Sequence, residues 1–394
     1  IETMRYNFDK VIDRSGTSAE KVEGLKHIWG RTDLIPLWVA DMDFATAPFV
    51  TDAIRKRCEN EVLGYTGKPD SYYNAIINWV KQRYDLVVAK EMINFVPGIV
   101  PGIGMAMNCF TQKGDKVMIQ PPVYHPFAWV TTRNERTLVT NPLKWENGMY
   151  RMDLDTFREQ IKGCKLFILC NPHNPGGVVW TEAELRAIAD ICYDEKVLVF
   201  SDEIHADLTL PPHTHRPFAT VSEKARMNSV TFMSPSKAFN MPGLSASHAL
   251  IFNEDLRKRF RIYMDAGELD MGHVFAFLSV EAAYSHGTEW LDQCLAYIQG
   301  NIDFVDDFLK NHAPKIKAIR PEASYLVWLD CRELKLSQKD LNEFFVDKAH
   351  LALNDGEMFG KEGIGFMRLN VASPRCIIEK AMKQLADAYQ LYIK

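Results

Sequence analysis

Five short runs constrain this chain most: KVMIQ (116–120), KLFILC (165–170), KVLVF (196–200), NSVTF (228–232) and HALIF (248–252) are near-continuous apolar stretches of strand length. A strand with one wet face alternates polar and apolar residues. A run that is apolar at almost every position needs cover on both faces, as in a mainly parallel sheet between layers of helices. Between the second and third runs, TEAELRAIADICYDE spaces its apolar residues at helical intervals, with Thr181 and Glu184 set for a capping box. Repeated from about residue 50 to 285, this alternation predicts an α/β fold.

Beyond about residue 285 the pattern changes. WLDQCLAYIQGNIDFVDDFLKN is one long amphipathic stretch, followed by SYLVWLD, a helix around SQKDLNEFFVDKA, and GFMRLNVA, which together predict a smaller α+β unit. The 394 residues exceed one ordinary core. The expected organisation is an N-terminal segment 1–48 packing with the small domain, a large domain 49–284 and a small C-terminal domain 285–394. No repeat or Pro/Gly/Ser-rich linker separates them.

Charge and cysteine usage narrow the function classes. With 46 Lys and Arg against 51 Asp and Glu, the net charge of -5 gives no general attraction to nucleic acid or to an anionic membrane. The eight cysteines (58, 109, 164, 170, 192, 294, 331 and 376) form no C-x-x-C pair and read as buried free thiols in a reducing compartment. No run approaches the ~18 apolar residues of a membrane span, and IETMRYNFDK lacks the apolar core of a signal peptide. A cytoplasmic protein is expected, with Met4 as its natural start.

In an open α/β sheet, ligands bind at the carboxyl ends of the strands, so the residues just after each run are the informative ones. After INFV comes PGIVPGIGMAM, a glycine-rich turn opening a helix whose free N–H groups and dipole suit a phosphate. After KVMIQ comes PPVYHPF, with Tyr124 in a proline-bounded loop. After KLFILC comes NPHNPGG, with Asn174 as a possible amide donor. After KVLVF comes SDEIHADL, with Asp202 just past a buried strand, and after NSVTF comes SPSKAFN, with Lys237 between hydroxyls. Taken singly, packing or turn chemistry accounts for each one. Taken together they match a flat, phosphorylated, aldehyde-bearing heterocycle. The lysine forms a Schiff base, the acid keeps the ring nitrogen protonated, and the tyrosine stacks.

The ordered set GYTG, GIVPGI, PPVYHPF, CNPHNPGG, SDEIH, SPSKAFN and RLNVASPR resembles the fold-type-I pyridoxal-phosphate enzymes of the aspartate aminotransferase superfamily. It is most similar to the branch of cystathionine β-lyases and related carbon–sulfur lyases of the PatB/MalY type. The likeness runs from LWVADMDF to RLNVASPR. It implies a large domain built on a mainly parallel, seven-stranded sheet, pyridoxal 5'-phosphate as cofactor, and a homodimer with shared active sites. By this resemblance Lys237 carries the cofactor and later acts as general base, and Asp202 pairs with the ring nitrogen. Tyr124 stacks on the ring, and Asn174 and His205 face its oxygen. Ile99, Val100, Ser234 and Ser236 hold the phosphate, which Tyr65 reaches from the neighbouring subunit. Arg368 clamps the substrate carboxylate, beside Ala40.

Two positions depart from the wider superfamily. His205 stands where many aminotransferases carry a tyrosine, and Ser245 stands where many carry a phosphate-gripping arginine. Both resemble the lyase branch. The implied activity is cleavage of L-cystathionine or a related cysteine S-conjugate to a thiol, pyruvate and ammonia. An aminotransferase and a cofactor-binding regulatory protein are the alternatives. No metal is expected: His213 and His215, in the Pro-rich stretch PPHTHRP, read as solvent-exposed.

Overall fold

The computed structural model describes residues 5–394, so the expectation for Met4 and the residues before it lies outside the described residues. Seven strands form the main sheet: β1 (Ile93–Val96), β2 (Lys116–Ile119), β3 (Thr137–Thr140), β4 (Cys164–Cys170), β5 (Leu198–Asp202), β6 (Ser229–Met233) and β7 (Ser247–Leu250). Their order is β1-β7-β6-β5-β4-β2-β3. From β6 through to β3 each successive pair is parallel, whereas β7 is antiparallel to both β1 and β6. HALIF is therefore a doubly covered strand of opposite direction. The reason is local: β6 and β7 are joined by the loop 234–246 with no crossover helix, and a direct return reverses the strand.

The helices complete the layers. Helices α1 (Pro48–Cys58) and α2 (Asp70–Tyr84) pack on α5 (Val274–His286), which is buried on most sides. Helix α3 (Ile99–Phe110) follows β1 and lies close to the sheet because residue 102 is glycine. A Cβ there would sit 2.9 Å from Val96 Cγ2 and 3.3 Å from Phe232. Helix α4 (Glu182–Asp194) carries the expected capping box: Thr181 Oγ1 accepts the Glu184 N–H at 3.1 Å, and Glu184 Oε1 accepts the Thr181 N–H at 3.1 Å. The long C-terminal stretch forms α6 (Thr288–His312), and α7 (Arg375–Tyr392) packs on it.

A second, antiparallel sheet contains β8 (Lys317–Ile319), β9 (Leu326–Asp330), β10 (Asn354–Asp355) and β11 (Phe366–Asn370) in the order β8-β9-β11-β10. The segment 37–44 forms a strap from this sheet to the main one. Asn370 donates its side-chain amide to the Val39 carbonyl at 2.8 Å and to the Asp41 carbonyl at 2.7 Å. At the other end Asn240, in the β6–β7 loop, donates to the Met42 and Phe44 carbonyls and accepts the Met42 N–H. Arg14 and the fully buried Lys21 neutralise Asp41 and Asp43 on the strap.

All eight cysteines are free, and five of them are buried; Cys58 and Cys376 are exposed, contrary to the sequence reading. Cys58 ends α1, and Cys376 lies in the first turn of α7, where one helix face meets water. Among the described residues no helix is long and apolar enough to cross a membrane. Replacing Thr181 by alanine is expected to cost about 1 kcal/mol of stability by removing the cap of α4. Chemical denaturation of the two proteins side by side measures it.

Candidate active site

The carboxyl ends of β1, β4, β5 and β6 and the amino end of the reversed β7 meet around a cavity of about 210 Å³. Each strand delivers its residue through the turn after it. Pro97 and Gly98 lead from β1 into α3, whose first N–H groups, at Ile99 and Val100, border the cavity without an acceptor inside the helix. Tyr124 comes after β2, and its N–H donates to the Asn174 carbonyl at 3.0 Å, which ties two loops together. Asn174 comes after β4, Asp202 ends β5, His205 lies in the next turn, and Ser236 and Lys237 come after β6.

Asp202 sits at the cavity's inner wall and is 4 % exposed. Its Oδ1 accepts the Ile204 N–H at 3.1 Å, and no side-chain donor reaches the carboxyl among the described residues. Burial pushes this acid up to about 7, and the neighbouring Glu203 adds to the effect. Across the cavity the Lys237 Nζ donates to the Ala40 carbonyl at 2.5 Å. Desolvation, and then the charge of Arg368, lower this amine to about 8. The same Ala40 carbonyl accepts the Tyr325 hydroxyl at 2.9 Å.

Arg368, on β11, reaches the site from the second sheet and is 3 % exposed. It donates to Asn174 Oδ1 at 3.2 Å, to the Trp38 carbonyl at 3.2 Å and to Asn354 Oδ1 at 2.7 Å, while its buried Nε has no partner. Phe359 lies 4.9 Å from the guanidinium carbon. His205 is buried with Nδ1 unpartnered, and burial holds it down to about 3, so its ring is neutral. Tyr124 is raised to about 12, by burial first and by Asp202 second, and keeps its proton.

Most of the residues singled out from sequence thus surround one space. Ser234 does not line it: its hydroxyl lies behind the wall, 3.0 Å from Ser236 Oγ and 2.9 Å from the Ala246 carbonyl, and accepts the Ser236 N–H. Ser245 is at the rim in the left-handed region, at φ 47. Tyr65 does not line this chain's cavity and is fully exposed, at 101 %. His215 corrects the sequence reading, since it is 5 % exposed and pairs with Glu203 at 2.7 Å. The proline-rich stretch folds inward because that buried carboxylate needs donors. His213 does remain partly exposed.

Sequence reasoning missed Tyr325, Asn354, Glu203 and the cavity-lining Ser247. Tyr325 lies in the run SYLVWLD, where an aromatic reads as core, and Asn354 has no motif around it. Only the strand register, which sets Asn354 opposite Arg368, pairs those two.

The chain matches the model of the aminotransferase class I and II family over residues 32–385. It belongs to that family. Cystathionine β-lyase PatB of Bacillus subtilis is 38% identical, over 97% of this chain and 99% of its own. Protein MalY of Escherichia coli is 31% identical, over 97% and 98%. Among solved structures, cystalysin from Treponema denticola, which contains pyridoxal 5'-phosphate, superposes with a TM-score of 0.96 at 34% identity, covering 99% of this chain and 100% of its own. A pyridoxal-phosphate-bound carbon–sulfur lyase from Staphylococcus hominis gives 0.91 at 35% identity, covering 98% of each. The fold is that of pyridoxal-phosphate-dependent aminotransferase-like enzymes, with a mixed, mostly parallel central sheet.

The cost of burying Asp202 has a sign that can be measured in the cofactor-free protein. Its ordinary value of 3.8 rises to about 7 on folding, so the native state binds the proton more tightly and stability falls as pH rises through that window. Lys237 acts oppositely, falling from 10.5 to about 8, so stability recovers as pH rises between those values. Asp202→Asn is expected to abolish the first slope and to stabilise the cofactor-free protein at pH 8 by roughly 1–3 kcal/mol. Urea unfolding at a series of pH values checks both.

Proposed function

We propose that this protein is a pyridoxal-phosphate-dependent carbon–sulfur β-lyase, cleaving L-cystathionine or a related cysteine S-conjugate to a thiol, pyruvate and ammonia. The observation that carries this reading is the meeting of Lys237 and Asp202 at one buried cavity, with Arg368 bonded to its wall residue Asn174. The names of the relatives favour β-elimination over amino transfer. The donor set fits the cofactor. Asp202 is a buried acid lacking a side-chain donor, as a protonated ring nitrogen requires, and the start of α3 with Ser236 offers neutral donors to a phosphate. Tyr124 would offer a ring to stack on, Asn174 and the neutral His205 would hold the ring oxygen, and Lys237 would supply the amine for the aldehyde.

When bound, pyridoxal phosphate supplies an electron sink for charge developing at the substrate's α-carbon. The chain's own residues do the rest. Arg368, bonded to the wall residue Asn174 and held by Trp38 and Asn354, would clamp the substrate carboxylate and so set the orientation of the substrate. The Lys237 amine, lowered to about 8, is partly unprotonated at neutral pH and can take the α-proton. Ala40 and Tyr325 keep that amine beside the substrate. The β-thiolate then leaves with the electron pair of its carbon–sulfur bond. Among the lining residues Lys237 is the sole side-chain cation, so nothing in this chain's cavity selects for a second carboxylate.

The assembly we propose is a homodimer. Val62, Leu63 and Tyr65 are exposed together on a loop, and in such a dimer Tyr65 would reach the phosphate of the neighbouring subunit. We place the protein in the cytoplasm, where its unpaired thiols stay reduced.

Cofactor-loaded protein given L-cystathionine and no keto acid is expected to release pyruvate and free thiol in equal amounts. Pyruvate absent without a keto acid, but amino transfer when one is added, moves the reading to an aminotransferase. Lys237→Ala is expected to abolish turnover, and Arg368→Lys to raise KM at least about tenfold through loss of the planar fork. Mixing Tyr65→Ala and Lys237→Ala subunits is expected to restore about a quarter of the parent activity, because half the dimers carry one intact site. No recovery would rule out shared sites.

A further inference from the structure

Glu203 is a buried carboxylate that the proposed chemistry leaves unused. Its side chain is 0% exposed and that of its partner His215 is 1% exposed. It accepts from Ser201 Oγ at 2.7 Å, from the Phe218 N–H at 3.1 Å and, at 2.7 Å, from His215 Nε2. An acid this deep is costly unless its donors are arranged around it, and here Ser201, two residues before it, and one segment carrying His215 and Phe218 supply them. Strand alternation puts Ser201 and Glu203 on the face of β5 opposite Asp202. The Glu203 N–H donates to the Phe232 carbonyl and the Asp202 carbonyl accepts from the Asn171 N–H, so the backbone between the two acids is pinned on both edges.

Resting on the role given to Asp202 above, we propose that Glu203, held by Ser201, His215 and Phe218, is a positioning residue for Asp202. It fixes that carboxylate toward the cavity and keeps it a strong proton acceptor for the cofactor's ring nitrogen. The like charge one residue away acts in the same direction as burial. The other groups facing Asp202 are Lys237 from the β6–β7 loop, Tyr124 from the loop after β2, Cys170 from β4 and His205 from its own turn. His215 packs edge-on against Tyr84 with ring centroids 5.4 Å apart, which fixes the ring that donates to Glu203.

The test is the pH dependence of pyridoxal-phosphate binding to the cofactor-free protein, read by fluorescence, with the melting temperature recorded for each variant. Titrations of the ligand itself are common to all variants and cancel. The parent is expected to show an inflection that Asp202→Asn removes. Glu203→Gln keeps the shape and loses the charge, and is expected to move that inflection to lower pH by about one pH unit. Ser201→Ala strips one donor from Glu203 and is expected to move it as well, while His215→Gln, which keeps an N–H donor, is expected to leave it in place. Lower melting temperatures with every inflection at the parent's pH would show a structural role alone and overturn the proposal. Should Glu203→Gln fail to fold, Ser201→Ala decides: an unmoved inflection overturns it. A parent without any inflection, or one that survives in Asp202→Asn, would instead overturn the role given to Asp202.

Discussion

The desolvation of two charged groups, Asp202 and Lys237, is the constraint around which the rest of the structure is arranged. Each is unfavourable where it stands: burial raises the acid and lowers the amine. A protein holds such groups in place only if the surrounding backbone has no freedom to turn them toward water. The sheet provides that rigidity. Asp202 is the last residue of a central strand paired on both sides, and Lys237 leaves the adjacent strand into a loop anchored by Asn240 and Ser234.

The second requirement is that a residue from the smaller sheet meet the larger one with side-chain accuracy. Arg368 does so because β11, the strap 37–44 and the β6–β7 loop are fastened in series. Asn370, two residues after Arg368, binds the strap; Asn240, three residues after Lys237, binds its far end. Between these knots the Ala40 carbonyl receives the Lys237 amine. The ion cluster of Arg14, Lys21, Asp41 and Asp43 clamps the same strap from outside. The substrate clamp and the proton-transfer group are thus positioned by one short piece of chain.

Much of this was legible in the residues. Doubly apolar runs made a covered sheet unavoidable, the capping box at Thr181 located a helix start, and the residues after each run pointed to the carboxyl ends of the strands. The direction of HALIF was not legible, because a strand covered on both faces reads the same in either direction. Nor was the burial of His215, since a proline-rich polar stretch resembles a solvated loop until Glu203 is placed beneath it.

By itself, then, the sequence determined the α/β layering and the types of chemical group at the strand ends, because periodicity and turn chemistry are local properties. The tertiary structure decided what those groups became. Asn354 meets Arg368 through strand register, Tyr325 meets Ala40 across 285 positions of chain, and His215 meets Glu203 behind the strand. The physical reason is that perturbed acidity arises first from burial and a fixed guanidinium from long-range contact, and neither burial nor such contact can be read from a local run of sequence.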